Sequence, residues 1–258
     1  MAEHCTTVRS GHAECTCGWR SSARCADLAF LHRLAVGETI DNPYLHAFLA
    51  PLAEYESAMF GGSEFVAMHA RRDRLVAEYA WAIPTETVLR KLAELSPICE
   101  LGCGTGYWAK LLADVGARVL AVDPSPPLEG CNHWHRATRP STRQPVTLRH
   151  FAPLTKSDAA TFTVPDDHTL MLCWPPYDDD MASVALARYH GDRVIYIGED
   201  AGGCTGDEAF HAQLAAHWDL SVTYEIPHWE TVHDAVNVYT RKPLGDQRRA
   251  IASENADG

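Results

Sequence analysis

The sequence predicts a doubly wound α/β fold: a mostly parallel seven-stranded sheet whose last strand runs antiparallel, preceded by a helical N-terminal segment. Three observations predict it. Beyond Ser96-Pro97, short apolar runs alternate with amphipathic stretches at intervals that suit strand–helix units. A glycine-rich loop, Gly102-Cys103-Gly104-Thr105-Gly106, stands where the first apolar run gives way to the first amphipathic stretch. The two closing apolar runs are about eight residues apart, too few for a helical crossover, so they must pair antiparallel.

Residues 1–43 read as a small Cys/His-containing segment closed by the turn signal Asp41-Asn42-Pro43. Thiolates and imidazoles are present there in sufficient number for tetrahedral zinc, with Cys15, Cys17, Cys25 and His32 as the candidate ligands. The Cys-x-Cys spacing fits no established zinc pattern, so reduced free thiols are the expectation and zinc is disfavoured. In residues 44–96 the spacing becomes helical. Leu45, Phe48, Leu49, Leu52 and Tyr55 mark one face, and Phe65, Met68, Leu75, Val76 and Tyr79 a second. After Ile83-Pro84, Thr85 can cap a further helix over 86–95, its hydroxyl accepting from a free amide of the first turn. The end of this segment, with Tyr79, Trp81, Ile83 and Pro84, is expected to fold across a ligand cleft as a lid.

Residues 97–243 carry the sheet. Strands are expected over 98–101, 118–122, 146–151, 169–173, 193–197, 220–226 and 235–239, with helices over 108–115, 180–189 and 207–218. The stretch 124–167 is Pro-rich and irregular, and 244–258 reads as a polar disordered tail.

The chain has 258 residues, 46% hydrophobic and 22% charged, enough for one large domain with additions. No apolar run approaches the roughly 20 residues of a membrane span, and the N-terminus lacks a signal-peptide pattern, so a cytoplasmic protein without membrane contact is expected. A net charge of −12 disfavours nucleic acid as a partner, because binding a phosphate backbone requires localised positive charge. The two basic clusters, Arg71-Arg72-Asp73-Arg74 and the broken run Arg136, Arg139, Arg143, read as solvated faces. Cys99, Cys103 and Cys173 fall in strand or tight-turn positions, where cysteine behaves as a small apolar residue.

The informative segment is Glu100-Leu101-Gly102-Cys103-Gly104-Thr105-Gly106-Tyr107, at the carboxyl end of the first sheet strand, where open α/β sheets bind ligands. Asp123 closes the second strand and can accept hydrogen bonds from both hydroxyls of a ribose. A dinucleotide fingerprint would space its glycines G-x-G-x-x-G, whereas here the third falls at 106 and a bulky Tyr107 follows. With this acid, glycine spacing and second acid, the region from about residue 98 to 243 resembles class I S-adenosylmethionine (SAM)-dependent methyltransferases. The resemblance implies SAM as cofactor, with Glu100 near its methionyl amino group, Gly102, Cys103, Gly104 and Gly106 as its floor, and Asp123 on its ribose.

The fourth sheet strand stops at Trp174-Pro175-Pro176-Tyr177, since two prolines cannot donate to the ladder. This is similar to the fourth motif of amino-group methyltransferases, with Trp174 where Asp or Asn stands. An indole only donates, so it cannot accept from a target amine. Trp174 beside the cofactor and Tyr177 would instead offer aromatic faces to a planar or cationic acceptor. Strand-end positions add Asp178, Glu199, His228, His233 and Asp234; with Tyr177, the candidates for catalysis are His233 and Glu199. The Gly202–Gly206 loop either borders the substrate pocket or caps the next helix through Thr205 or Asp207. The sequence thus points to methyl transfer to oxygen, nitrogen or sulfur of a small molecule or peptide. A catalytically silent SAM-binding regulator and a protein or nucleic-acid methyltransferase are the alternatives. Neither the acceptor nor the oligomeric state is specified.

Overall fold

A computed structural model describes residues 6–9, 12–15, 37–50, 61–129, 132, 134–135 and 146–243. Cys17, Cys25, His32, the run Arg136, Arg139 and Arg143, and residues 244–258 lie outside the described residues, and of Cys15 only the backbone is described.

The first described element is an antiparallel hairpin of β1 (Thr6–Arg9) and β2 (His12–Cys15), which sequence pattern had not marked. Among the described residues three helices follow, each with a side-chain cap at its start. Asn42 Oδ1 accepts from the Leu45 amide at α1 (Pro43–Leu49), Ser63 Oγ from Val66 at α2 (Glu64–Glu78), and Thr85 Oγ1 from Val88 at α3 (Glu86–Ala93). Such caps satisfy amides that the helix leaves unpaired, each worth about 1 kcal/mol.

From Ile98 the chain alternates: β3 (Ile98–Leu101), α4 (Tyr107–Asp114), β4 (Val119–Asp123), β5 (Leu154–Lys156), β6 (Thr169–Cys173), α5 (Met181–Arg188), β7 (Arg193–Gly198), α6 (Glu208–His217), β8 (Trp218–Glu225) and β9 (Ala235–Arg241). The seven sheet strands lie in the order β5-β4-β3-β6-β7-β9-β8. Parallel pairing runs from β5 to β7, and β9 slots antiparallel between β7 and β8. This is the doubly wound sheet with an antiparallel last strand that the periodicity predicted.

Alternation along the strands divides most of the core between the two sheet faces, beside a small third cluster of Cys103, Ala109 and Ala121. Ile98, Met171, Ile195 and Ile197 face a cluster with Tyr44, Leu75, Leu89, Trp108 and Leu111, from α1 to α4. Cys99, Leu170, Leu172, Val194 and Tyr196 face the opposite cluster with Ala182, Leu186, Phe210 and Leu214, from α5 and α6. Because successive strand residues point to opposite faces, a sheet covered on both sides reads as continuous apolar runs.

Three expectations are corrected. Residues 146–151 form no strand: Phe151 instead packs its ring against Tyr79 and Tyr107, and the short outer strand is β5. Trp218 opens β8 rather than ending a helix. Neither Thr205 nor Asp207 caps α6 with its side chain. Among the described residues, no helix is long and apolar enough to cross a membrane.

Candidate active site

β3 delivers Glu100 and the glycine loop to the sheet's carboxyl edge, where a cavity of about 750 Å³ opens. Gly102, Gly104 and Gly106 all have φ between 54° and 76°, the left-handed region that side chains disfavour. Gly104 is also spatially required, because a Cβ there would sit 2.5 Å from Nε2 of His135. Its amide donates to Oδ2 of Asp123 at 2.8 Å, and the Ser125 amide donates to Oδ1 at 2.8 Å. Loop and second-strand acid are therefore joined, and both line the same cavity.

The loop is also pinned from the N-terminal side. Thr105 Oγ1 donates to the Tyr79 carbonyl, and Trp108 Nε1 donates to the Ala82 carbonyl at 3.2 Å. Tyr107, the residue that breaks the dinucleotide pattern, turns into the core and donates to Asn42 Oδ1 at 2.8 Å.

Glu100 is 1% exposed, and its Oε2 has no hydrogen-bond partner. Burial pushes its carboxyl up to about 8, opposed by the Ala109 amide and reinforced by the neighbouring Asp123. Asp123 is raised for the same reason, burial outweighing the Ser125 and Gly104 amides. An orphaned buried carboxyl oxygen on a cavity wall suits an incoming ammonium, and a carboxylate with lone pairs left over suits hydroxyls. The residues present thus fit an adenosyl sulfonium carrying an α-amino group, which has no phosphate to neutralise.

The other half of the cavity is aromatic. Trp174 closes β6 in the left-handed region, φ 52°, and its Nε1 donates to Asp234 Oδ2 at 2.8 Å. Its ring stacks on Trp81, centroids 5.1 Å apart and planes 21° apart, and Trp134 meets Trp81 edge-on at 6.0 Å. Tyr177 stands at the mouth, 58% exposed.

Residues 69–190, which hold the glycine loop, Asp123 and the Trp-Pro-Pro-Tyr turn, match the family model of a methyltransferase domain. That segment is similar to a methyltransferase domain. No characterised protein sequence matches the chain. Similar solved structures include magnesium protoporphyrin IX methyltransferase from Synechocystis PCC 6803 with bound SAM, at 14% identity over 85% of this chain and 100% of that one, TM-score 0.39. Another is Burkholderia thailandensis 1,6-didemethyltoxoflavin-N1-methyltransferase, 16% identical over 94% of this chain and 100% of that one, TM-score 0.41. A third is human N-acetylserotonin methyltransferase, 15% identical over 93% and 79%, TM-score 0.38.

Glu100, Gly102, Cys103, Gly104, Asp123, Trp174, Tyr177 and Glu199 all line the cavity; Gly106 lies behind, at the cap of α4. His233 does not. Its side chain is exposed, and only its amide reaches inward, donating to Glu199 Oε1 at 2.8 Å. Glu199 accepts at Oε2 from the Cys204 amide, also at 2.8 Å. Burial raises this carboxyl, but the Cys204 and His233 amides outweigh it and hold Glu199 below the usual carboxylate range. Glu199, a candidate for catalysis alongside His233 and Tyr177, therefore clasps two loops with a carboxylate that accepts a proton poorly. Asp178 is exposed beside the cavity, while Asp179 and Asp180 line its mouth. Of the expected lid, Trp81 faces the cavity, whereas Ile83 is core and Tyr79 stacks on Tyr44 and Phe151.

Sequence reasoning missed Arg72, His69, Asn132, Trp134 and His135, which also line the cavity. Far from forming a solvated face, Arg71 is buried and donates to the Ala50 carbonyl at 2.6 Å, and Arg72 lies over the Trp81 ring. Spacing could have flagged this, because Arg72 falls one turn from Met68 and Val76 on the apolar stripe. Among the described residues, no group of three His, Cys, Asp or Glu side chains could hold a metal ion.

Proposed function

We propose that the protein transfers a methyl group from SAM to an oxygen, nitrogen or sulfur of a small molecule. The observation that carries this reading is one cavity shared by the orphaned Glu100 carboxyl, the Gly104–Asp123 hydrogen bond and the indoles. SAM, when bound, supplies an electrophilic methyl on a sulfonium. Glu100 would receive its amino group, the loop from Gly102 to Gly106 its methionyl and sugar atoms, and Asp123 its ribose hydroxyls. Methyl transfer is a displacement in line, so most of the barrier reduction comes from orientation in a dry cleft, and the indole wall supplies both. A volume of about 750 Å³ suits cofactor and small acceptor together better than an extended polymer.

Calorimetric titration with S-adenosylhomocysteine tests the reading. Binding is expected, and Asp123→Ala should weaken it by about a hundredfold, since two hydrogen bonds to a charged group together contribute about 3 kcal/mol. No heat and no thermal shift with well-folded protein would overturn it.

A further inference from the structure

Resting on the methyltransferase reading, we propose that the acceptor is a planar aromatic compound carrying an anionic group, which Arg72 binds while its ring lies against the indole wall.

The argument starts from an unmet demand. Arg72 Nε is buried on the cavity side of α2 and has no hydrogen-bond partner. Among the described residues its ion-pair contact is Nη1 to Asp73 Oδ1 at 3.7 Å, too long for a hydrogen bond. A desolvated guanidinium N–H without an acceptor is costly, and more so than a neutral donor. The side chain is 23% exposed, but its guanidinium is held 5.5 Å from the Trp81 ring centroid. A planar, rigid donor held on an aromatic ring is preorganised for a carboxylate or ionised hydroxyl, and the fixed fork of arginine matches such oxyanions.

The rest of the wall sets the acceptor's shape. Trp81, Trp134 and Trp174 all border the cavity, and Trp174 is fixed at both ends: its backbone N–H donates to the Ile197 carbonyl and its indole to Asp234. Indoles locked in this way favour a flat ring over a flexible chain.

The acidic groups nearby do not contradict an anion. Glu199 has both oxygens committed to amides, and Asp234, behind the indole wall, gives Oδ2 to the Trp174 indole while its Oδ1 stays buried without a partner. Asp179, Asp180 and Glu230 are exposed at the mouth, where water and salt screen them. They would instead repel a second anion at the entrance while Arg72 holds the first within.

The test uses the whole protein saturated with S-adenosylhomocysteine. Benzoate, 2-naphthoate and indole-3-carboxylate are titrated against their neutral amides and against benzylamine, read by calorimetry and tryptophan quenching. At least one carboxylate is expected to bind tenfold or more tightly than its amide, with benzylamine weakest. Arg72→Met should abolish that preference and Arg72→Lys should retain part of it, both still binding S-adenosylhomocysteine within about twofold. Equal affinities for acid and amide, a preference for benzylamine, no ring binding at all, or a preference that survives Arg72→Met would each overturn the proposal and leave the methyltransferase reading standing. Failure of the wild-type protein to bind S-adenosylhomocysteine would instead remove the reading, and the proposal with it.

Discussion

Glu100 holds a carboxyl group where neither protonation state is fully satisfied: charged, it lacks a counter-ion, and neutral, its Oε2 still lacks a partner. With its titration pushed to about 8, the group is mostly protonated at pH 7 before ligand arrives. An α-ammonium placed beside it favours the carboxylate, so binding must expel a proton. Titrating S-adenosylhomocysteine at pH 7 in phosphate and in Tris, whose ionisation heats differ, should give enthalpies displaced by release of nearly one proton. Glu100→Gln should erase the buffer dependence and weaken binding. Identical enthalpies in both buffers would show that the amino group lies elsewhere.

At the scale of an element, α3 is fastened to the segment before α1 by two carboxylates, chiefly that of Glu86. Glu86 accepts from the Thr39 amide and hydroxyl, the Ile40 amide and Arg90, while Glu38 accepts from the Glu86 amide. Burial alone would raise Glu86, but the Thr39, Arg90 and Ile40 hydrogen bonds prevail and hold it at about 2. A depressed carboxyl stabilises the fold above its ordinary 4.5 and loses that contribution as pH falls through about 2. Glu86→Ala should therefore cost about 3 kcal/mol in urea unfolding at pH 7, because several donors lose a charged acceptor at once. A cost below about 1 kcal/mol would mean that water replaces the carboxylate. The elements also show what is legible in sequence. Strands buried on both faces and the Thr85 cap are local patterns, and they were readable. The outer strand Leu154–Lys156 has no apolar run to announce it, because only Leu154 is even partly covered, while in 146–151 Val146 is buried and the Phe151 ring packs on Tyr79 without strand pairing. The acids and glycines of the cavity were readable because they abut strand ends. The aromatic half of the cavity rests on pairs such as Trp174 with Asp234, sixty residues apart, and Arg72 with Trp81 across a helix end. No local period encodes those.

For the molecule as a whole, the buried acids oppose one another in their pH dependence, and the balance is a prediction. Glu100, at about 8, and Asp234, at about 6, are both raised, chiefly by burial, with the Trp174 indole only partly offsetting it at Asp234. A raised carboxyl contributes most when protonated in both states, and its contribution is lost as pH climbs from the unfolded value through the folded one. Asp234 acts between about 4 and 6 and Glu100 between about 4.5 and 8, while Glu86 removes stability only below 4.5. Net charge of −12 adds self-repulsion in the same direction as the raised pair. The ligand-free protein should accordingly melt highest near pH 5 and lose stability steadily toward pH 8. S-adenosylhomocysteine, by placing an ammonium on Glu100, should flatten the upper part of that decline. The double variant Glu100→Gln, Asp234→Asn separates the two causes, since it leaves nearly all the surface charge in place. Its melting temperature should change little between pH 5 and 8, whereas a decline as steep as the parent's would assign the effect to overall charge and not to these two carboxyls.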